Sequence, residues 1–243
     1  MIILALDTSS IVATVALMED DKLIGEYIIN HQRTHSQKLM PMIEALMKSC
    51  EIQMKDIDVI AVAKGPGSFT GLRIGVATAK GLAHTRNIPV VGISTLDGLA
   101  FNLPYCEGII CPILDARRNQ VYTAVYKWDN DMLHRIEAPM AVSLEELITK
   151  LSERPEKIIF VGDGVEKNIE PLKQALTDRV MRSPNSIKMP RASSIAELAL
   201  QKAKEGNLES FYTLMPEYLR KSEAERQYEE RMKRCEASGE NID

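Results

Sequence analysis

Three short apolar segments precede any helical pattern in this chain, and the same order returns after roughly a hundred residues. Residues 2–6, 11–17 and 23–29 read as strands, the last two separated by the acidic turn Glu19-Asp20-Asp21. A helix over 34–50 follows, opened by a capping-box pair, Thr34 with Gln37, and carrying Pro41 at a kink. A strand at 57–63, a glycine loop feeding a helix that reaches Arg86, and a strand at 89–93 complete a β-β-β-α-β-α-β unit. The second half runs through strands at 108–114, 120–127 and 132–138, a helix at 144–151, a strand at 157–161 and a helix at 165–176. Both units place an aspartate just past the first apolar strand, in Ile3-Leu4-Ala5-Leu6-Asp7 and in Cys111-Pro112-Ile113-Leu114-Asp115.

Antiparallel strands followed by alternating helices and strands, used twice, predict an α/β fold of the actin-like, ribonuclease-H-like (ASKHA) layout. Two similar lobes then face each other across a cleft. A chain of 243 residues, 45% of them hydrophobic, can bury two cores of about 100 residues each. The expected division is an N-terminal lobe at 1–103, a C-terminal lobe at 104–220 and a charged tail at 221–243. The second lobe would include a helix at 193–205 and a short element ending in Pro216-Glu217-Tyr218-Leu219-Arg220. The tail reads as a solvated helix.

A net charge of −4 gives no global attraction for nucleic acid, so any RNA role is expected to pass through a partner. The start of the chain runs straight into a strand, and no stretch has 18 uninterrupted apolar residues, which predicts a cytoplasmic protein without membrane association. Cys50, Cys106, Cys111 and Cys235 lack metal-type spacing and are expected to be reduced and structural. His31, His35, His84 and His134 form no paired motif, and no Gly-x-Ser-x-Gly elbow occurs. His35 reads as a partly exposed surface residue.

The run Lys64 to Gly75, K-G-P-G-S-F-T-G-L-R-I-G, is a strand, glycine loop and helix N-terminus. Such loops aim backbone N–H groups and a helix dipole at one point, as anion sites do. The Walker spacing is absent, and the glycines equally suit a tight turn. In an actin-like cleft Asp7, Thr8 and Ser9 would meet a nucleotide with Gly65, Gly67, Ser68 and Asp115, and ATP or ADP is the ligand this set would take. Asp7 and Thr8 could instead simply hold a hairpin turn.

Two helices point to a protein partner. Leu39, Met40, Met42, Ile43, Leu46, Met47 and Cys50 spread over roughly 160° of the first, more than the stripe of about 100° that one core face needs. The second carries Gly71, Gly75, Ala77, Ala79, Gly81 and Ala83, which suit close helix approach or packing on its own sheet. The expected interface comprises Leu39, Met42, Ile43, Leu46 and Met47 with Arg73, Ala77, Lys80, Gly81 and His84. No catalytic residue and no metal ligand is assigned.

With these features placed, the chain resembles the TsaB (YeaZ) family of tRNA N6-threonylcarbamoyladenosine (t6A) biosynthesis. The matching runs are Leu6-Asp7-Thr8-Ser9-Ser10, His35 through Leu39 to Pro41, Gly65-Pro66-Gly67-Ser68-Phe69-Thr70-Gly71-Leu72-Arg73, Ser94-Thr95-Leu96, Asp115-Ala116-Arg117 and Pro216-Glu217-Tyr218-Leu219-Arg220. The related transferase TsaD carries a metal-binding His-x-Glu-Gly-His segment where this chain reads Thr95-Leu96-Asp97-Gly98-Leu99. The resemblance therefore implies a catalytically silent scaffold and activator without a cofactor of its own. It would pair with TsaD through its first two helices. TsaE would join the pair, TsaC or Sua5 would supply threonylcarbamoyl-AMP, and tRNA would be met only through the complex. It also implies a homodimer through the same helices. The alternative is an ATP-dependent phosphotransferase or ATPase of the same fold. A metallopeptidase lacks a zinc ligand set.

Overall fold

The computed structural model describes residues 1–31 and 34–220, with residues 228, 231 and 232 of the tail. The expectation of a solvated helix over 221–243 therefore falls almost wholly outside the described residues. The first unit is β1 (Ile2–Asp7), β2 (Ala13–Glu19), β3 (Lys22–Ile29), α1 (His35–Ser49), β4 (Val59–Gly65), α2 (Phe69–His84) and β5 (Val90–Ser94). After α3 (Thr95–Phe101) the second unit is β6 (Ile109–Asp115), β7 (Gln120–Asp129), β8 (Met132–Ser143), α4 (Leu144–Ser152), β9 (Ile158–Val161), α5 (Val165–Leu176) and β10 (Val180–Arg182). The helix α6 (Ala192–Lys204) follows.

The two sheets have one topology. Their orders are β3-β2-β1-β4-β5 and β8-β7-β6-β9-β10, antiparallel in the hairpin half and parallel beyond the first strand of each unit. The duplicated α/β actin-like layout expected from the strand pattern is the one observed. The helix α3 and the short β10 were not expected, being too brief to show a period. The predicted capping box is also absent: Thr34 makes no side-chain cap bond, and its hydroxyl lies 3.3 Å from that of Ser36 instead.

Continuous apolar strands arise here because each sheet is covered on both faces. Along β1, Leu4 and Leu6 point into the core under α1 and α2, whereas Ile3 and Ala5 point to the opposite face and pack with Ala192, Ile195, Ala196 and Ala199 of α6. Along β6, Ile109, Cys111 and Ile113 meet α4 and α5, and Ile110 and Leu114 meet Leu96 and Leu99 of α3. Burial pushes the Cys111 thiol up to about 12, in keeping with a structural cysteine.

The chain thus returns to its first sheet after completing the second. The helix α6 is tied there by an ion pair between Arg191 and the buried Glu26, and by Ser193, whose N–H and Oγ donate to Glu26 Oε1 at 2.9 and 2.8 Å. Beyond α6, Glu209 exchanges two backbone hydrogen bonds of 2.9 Å with Val90, closing the free edge of β5. Phe211 and Leu214 then enter the core under α2.

Candidate functional site

The turn between β1 and β2 and the glycine loop after β4 are packed against each other. Ser9 donates from its N–H and Oγ to Asp7 Oδ1 at 2.7 and 2.6 Å, while Asp7 Oδ2 is buried without a hydrogen-bond partner. Burial pushes the Asp7 carboxyl above its ordinary range, opposed by the bonds from Ser9. The loop then comes down on this turn. Ser68 N–H donates to Ser9 O at 2.6 Å, and Thr8 Oγ1 donates to Gly71 O at 2.7 Å.

Close approach explains the glycines of this run. A Cβ on Gly67 would overlap Ser9 O, one on Gly71 would overlap Thr8 O, and one on Gly75 would stand 2.5 Å from Thr8 Oγ1. Gly65, at φ 128°, faces Glu217 O in the same way. Asp7, Thr8, Ser9 and Ser10 are consequently no more than 5% exposed. The loop packs on its own turn: the Ser68 N–H is bonded to Ser9 O, and Asp7, Thr8 and Ser9 are covered, whereas Ser68 and Asp115 of the expected nucleotide set are exposed. His35, partly exposed as expected, joins this cluster through Nε2, 2.8 Å from Ser10 O.

In the second lobe Asp115 is exposed at the end of β6, with Lys167 Nζ 3.9 Å from its Oδ2. Its N–H donates to Asp163 Oδ1 at 3.1 Å. Burial raises the carboxyl of Asp163 above its ordinary range, opposed by the backbone N–H of Asp115 and Gly164. Asp163 lies in the Gly162-Asp163-Gly164 turn after β9, which the sequence marks as a loop flanking the cleft without singling out its aspartate. No cluster of three His, Cys, Asp or Glu among the described residues is placed to hold a metal ion.

The α3 segment is structural. Thr95, Leu96 and Leu99 are fully buried, the last two in the core beneath the second sheet. Asp97 accepts from Tyr126 OH at 2.7 Å and takes both oxygens to Arg135 Nη2 at 2.6 and 2.7 Å, which ties α3 to β7 and β8.

The first predicted helix face is corrected. Leu39, Met42, Ile43, Leu46 and Met47 are 1–9% exposed and sit in the core of the first lobe, so the wide apolar arc of α1 is consumed within the chain. The helix packs on β2 and β3 while also touching α2, and Gly25 lets Leu46 and Cys50 close on the sheet. Its outward side carries Met40, Pro41, Glu44 and Ala45. On α2, by contrast, Arg73, Ala77, Gly81 and His84 do face outward along one line, with Lys80 half-buried beside them. A Cβ on Gly81 would meet nothing within 4 Å.

The segment after α6 borders this face. Lys80 Nζ donates to Leu214 O at 3.1 Å and Tyr212 O at 3.4 Å, and the His84 ring stands edge-on to Phe211 and Tyr212. Tyr212 and Met215 are 72% and 71% exposed.

Residues 22–228 match a family model described as TsaD, tRNA N6-adenosine threonylcarbamoyltransferase. The chain is 36% identical over 233 residues to the tRNA threonylcarbamoyladenosine biosynthesis protein TsaB of Bacillus subtilis, covering 96% of this chain and 100% of the relative. Identity to TsaB of Escherichia coli is 30% over 225 residues, covering 91% and 96%. The solved structure of YeaZ from Pseudomonas aeruginosa superposes with a TM-score of 0.72 at 25% identity, covering 90% of this chain and 99% of that one.

Proposed function

The chain belongs to the TsaB family of tRNA threonylcarbamoyladenosine biosynthesis proteins, and we propose that it serves this synthesis as a non-catalytic subunit that pairs with the transferase TsaD. The observation that carries this reading is the closure of the glycine loop onto the β1–β2 turn. The Ser68 N–H is bonded to Ser9 O, and the Cβ positions of Gly67 and Gly71 are filled by Ser9 and Thr8, which supports glycines that serve self-packing over glycines that cradle phosphate. Thr95 and Leu99, buried where the related transferase TsaD would carry metal-binding histidines, support the same reading.

Pairing is assigned to the outward face of α2, with Arg73, Ala77, Lys80, Gly81 and His84, together with Met40 of α1. Small residues at Ala77 and Gly81 let a partner helix approach closely, and exposed Tyr212 and Met215 beside them offer apolar contact of the kind found at interface centres. TsaE joins this pair, TsaC or Sua5 supplies the activated threonylcarbamoyl group, and the acidic chain meets tRNA through the complex. The same face serves a homodimer when the partner is scarce. No helix of the described residues is long and apolar enough to cross a membrane, and we place the work in the cytoplasm.

The test is reconstitution of t6A formation on unmodified tRNA with TsaD, TsaE and TsaC. The rate is expected to collapse when this chain is omitted; an undiminished rate without it overturns the reading. Mg-ATP fits the first lobe poorly, so calorimetry on the isolated chain should register no heat of binding. Micromolar binding would favour the phosphotransferase reading, which rests on Asp7, Asp115 and the glycine loops.

A further inference from the structure

We propose that residues 216–220, Pro-Glu-Tyr-Leu-Arg, are a staple that spans the two lobes and prevents them from hinging. Its first end is fixed to the glycine loop. Glu217 N–H donates to Lys64 O at 2.7 Å, and Glu217 O occupies the space in front of Gly65 where any side chain would stand. Tyr218 continues onto α2: its ring stacks on Phe69 at 4.5 Å, and its hydroxyl takes the Arg73 Nε proton at 3.1 Å while that guanidinium lies 3.9 Å above the Phe69 ring. Two residues on, Arg220 Nη1 donates to Ala116 O at 2.6 Å, which is the turn between β6 and β7. Five consecutive residues therefore join first-lobe loop, first-lobe helix and second-lobe turn.

The far end of the staple sits on a strained turn. Arg117, Arg118 and Asn119 lie at φ 61°, 53° and 57°, three successive left-handed residues without a glycine among them. Such a run persists only where surrounding bonds dictate it. Here Arg117 N–H donates to Asp115 Oδ1 at 2.8 Å, Ala116 N–H to Gln120 O at 3.0 Å and Gln120 N–H to Arg117 O at 3.1 Å, with Arg220 holding the Ala116 carbonyl from outside. The turn is thus held both by its own bonds and by the side chain of Arg220, which reaches it from the segment after α6. In a two-lobed fold a hinge is the ordinary way to close on a ligand. A staple across the lobes suits a protein that presents a fixed shape, and it mechanically links the outward face of α2, through Arg73, to the second lobe.

Hydrogen exchange with mass spectrometry on the full chain tests this. Arg220→Ala should raise exchange at 115–120 by about tenfold while α4 and α5 keep their protection. Tyr218→Ala should raise it at both 64–75 and 115–120, and Arg220→Lys should restore most of the protection. The proposal is overturned if Arg220→Ala leaves 115–120 within about twofold of wild type, or if protection falls equally throughout the second sheet. Should the variants fold poorly, the wild-type chain still decides: the Glu217 and Ala116 amides must open with the same free energy across a denaturant series, and separate opening sinks the idea.

Discussion

At the residue scale, two glycines of α2 have opposite meanings. Gly71 lies against Thr8 O, so Gly71→Ala forces a backbone shift and should cost about 1–3 kcal/mol or more. Gly81 opens to solvent, so Gly81→Ala should raise stability by up to about 1 kcal/mol while hindering a partner's close approach. Urea unfolding of both variants reads the contrast directly. The same reasoning selects the probe for pairing. Ala77→Arg alters an exposed position and should abolish association with an unchanged melting temperature; Met47→Glu would bury an unpaired charge in the α1 core and unfold the lobe instead.

Asp7 yields a prediction with a definite sign. Its carboxyl is raised by burial, so its contribution to stability is complete below the unfolded carboxylate value of 3.8 and is lost as pH climbs through the folded value. Asp7→Asn keeps an acceptor for Ser9 and cannot ionise. It should be more stable than wild type at neutral pH, with the advantage shrinking as pH falls through the carboxylate range. Denaturant midpoints at the two extremes check this, and a constant difference would contradict it.

At the scale of elements, α1 shows why amphipathic width is an ambiguous sign. A helix lying across a twisted sheet beside a second helix buries a broader arc than one touching a single face, so six of the seven apolar positions are taken up within the chain and Met40 alone stays outside. The segment 209–218 is the counterpart: it has no periodicity to read, yet it closes the β5 edge and fills the core with Phe211 and Leu214. Ending the chain at residue 207 should expose that edge and lower the melting temperature, and light scattering should register aggregation on warming.

At the scale of the whole molecule, the lobes are not sequential segments. The face of the first sheet carrying Ile3, Ala5, Met18, Val59, Val91 and Ile93 is covered by α6, which arrives after the second sheet is complete. A fragment of residues 1–103, the expected first lobe, would leave that face bare. It should be insoluble or lack a cooperative thermal transition, whereas the full chain melts as one unit; circular dichroism on both separates these outcomes.

The duplicated strand order, the aspartates after β1 and β6, the glycine positions and the family runs were all legible in the residues, because each is a local pattern of polarity or backbone permission. Which way the glycine loop faced was not legible. It depends on Thr8 meeting Gly71, 63 positions away, and on Glu217 meeting Gly65 across most of the chain. A glycine states only that something comes close. Tertiary structure decided that the visitor is the chain's own backbone, and it decided likewise that α1 turns Met42 and Met47 inward while Met40 stays outside, and that residues 216–220 touch both lobes. Burial and close approach are sums over distant segments, and no window of sequence contains them.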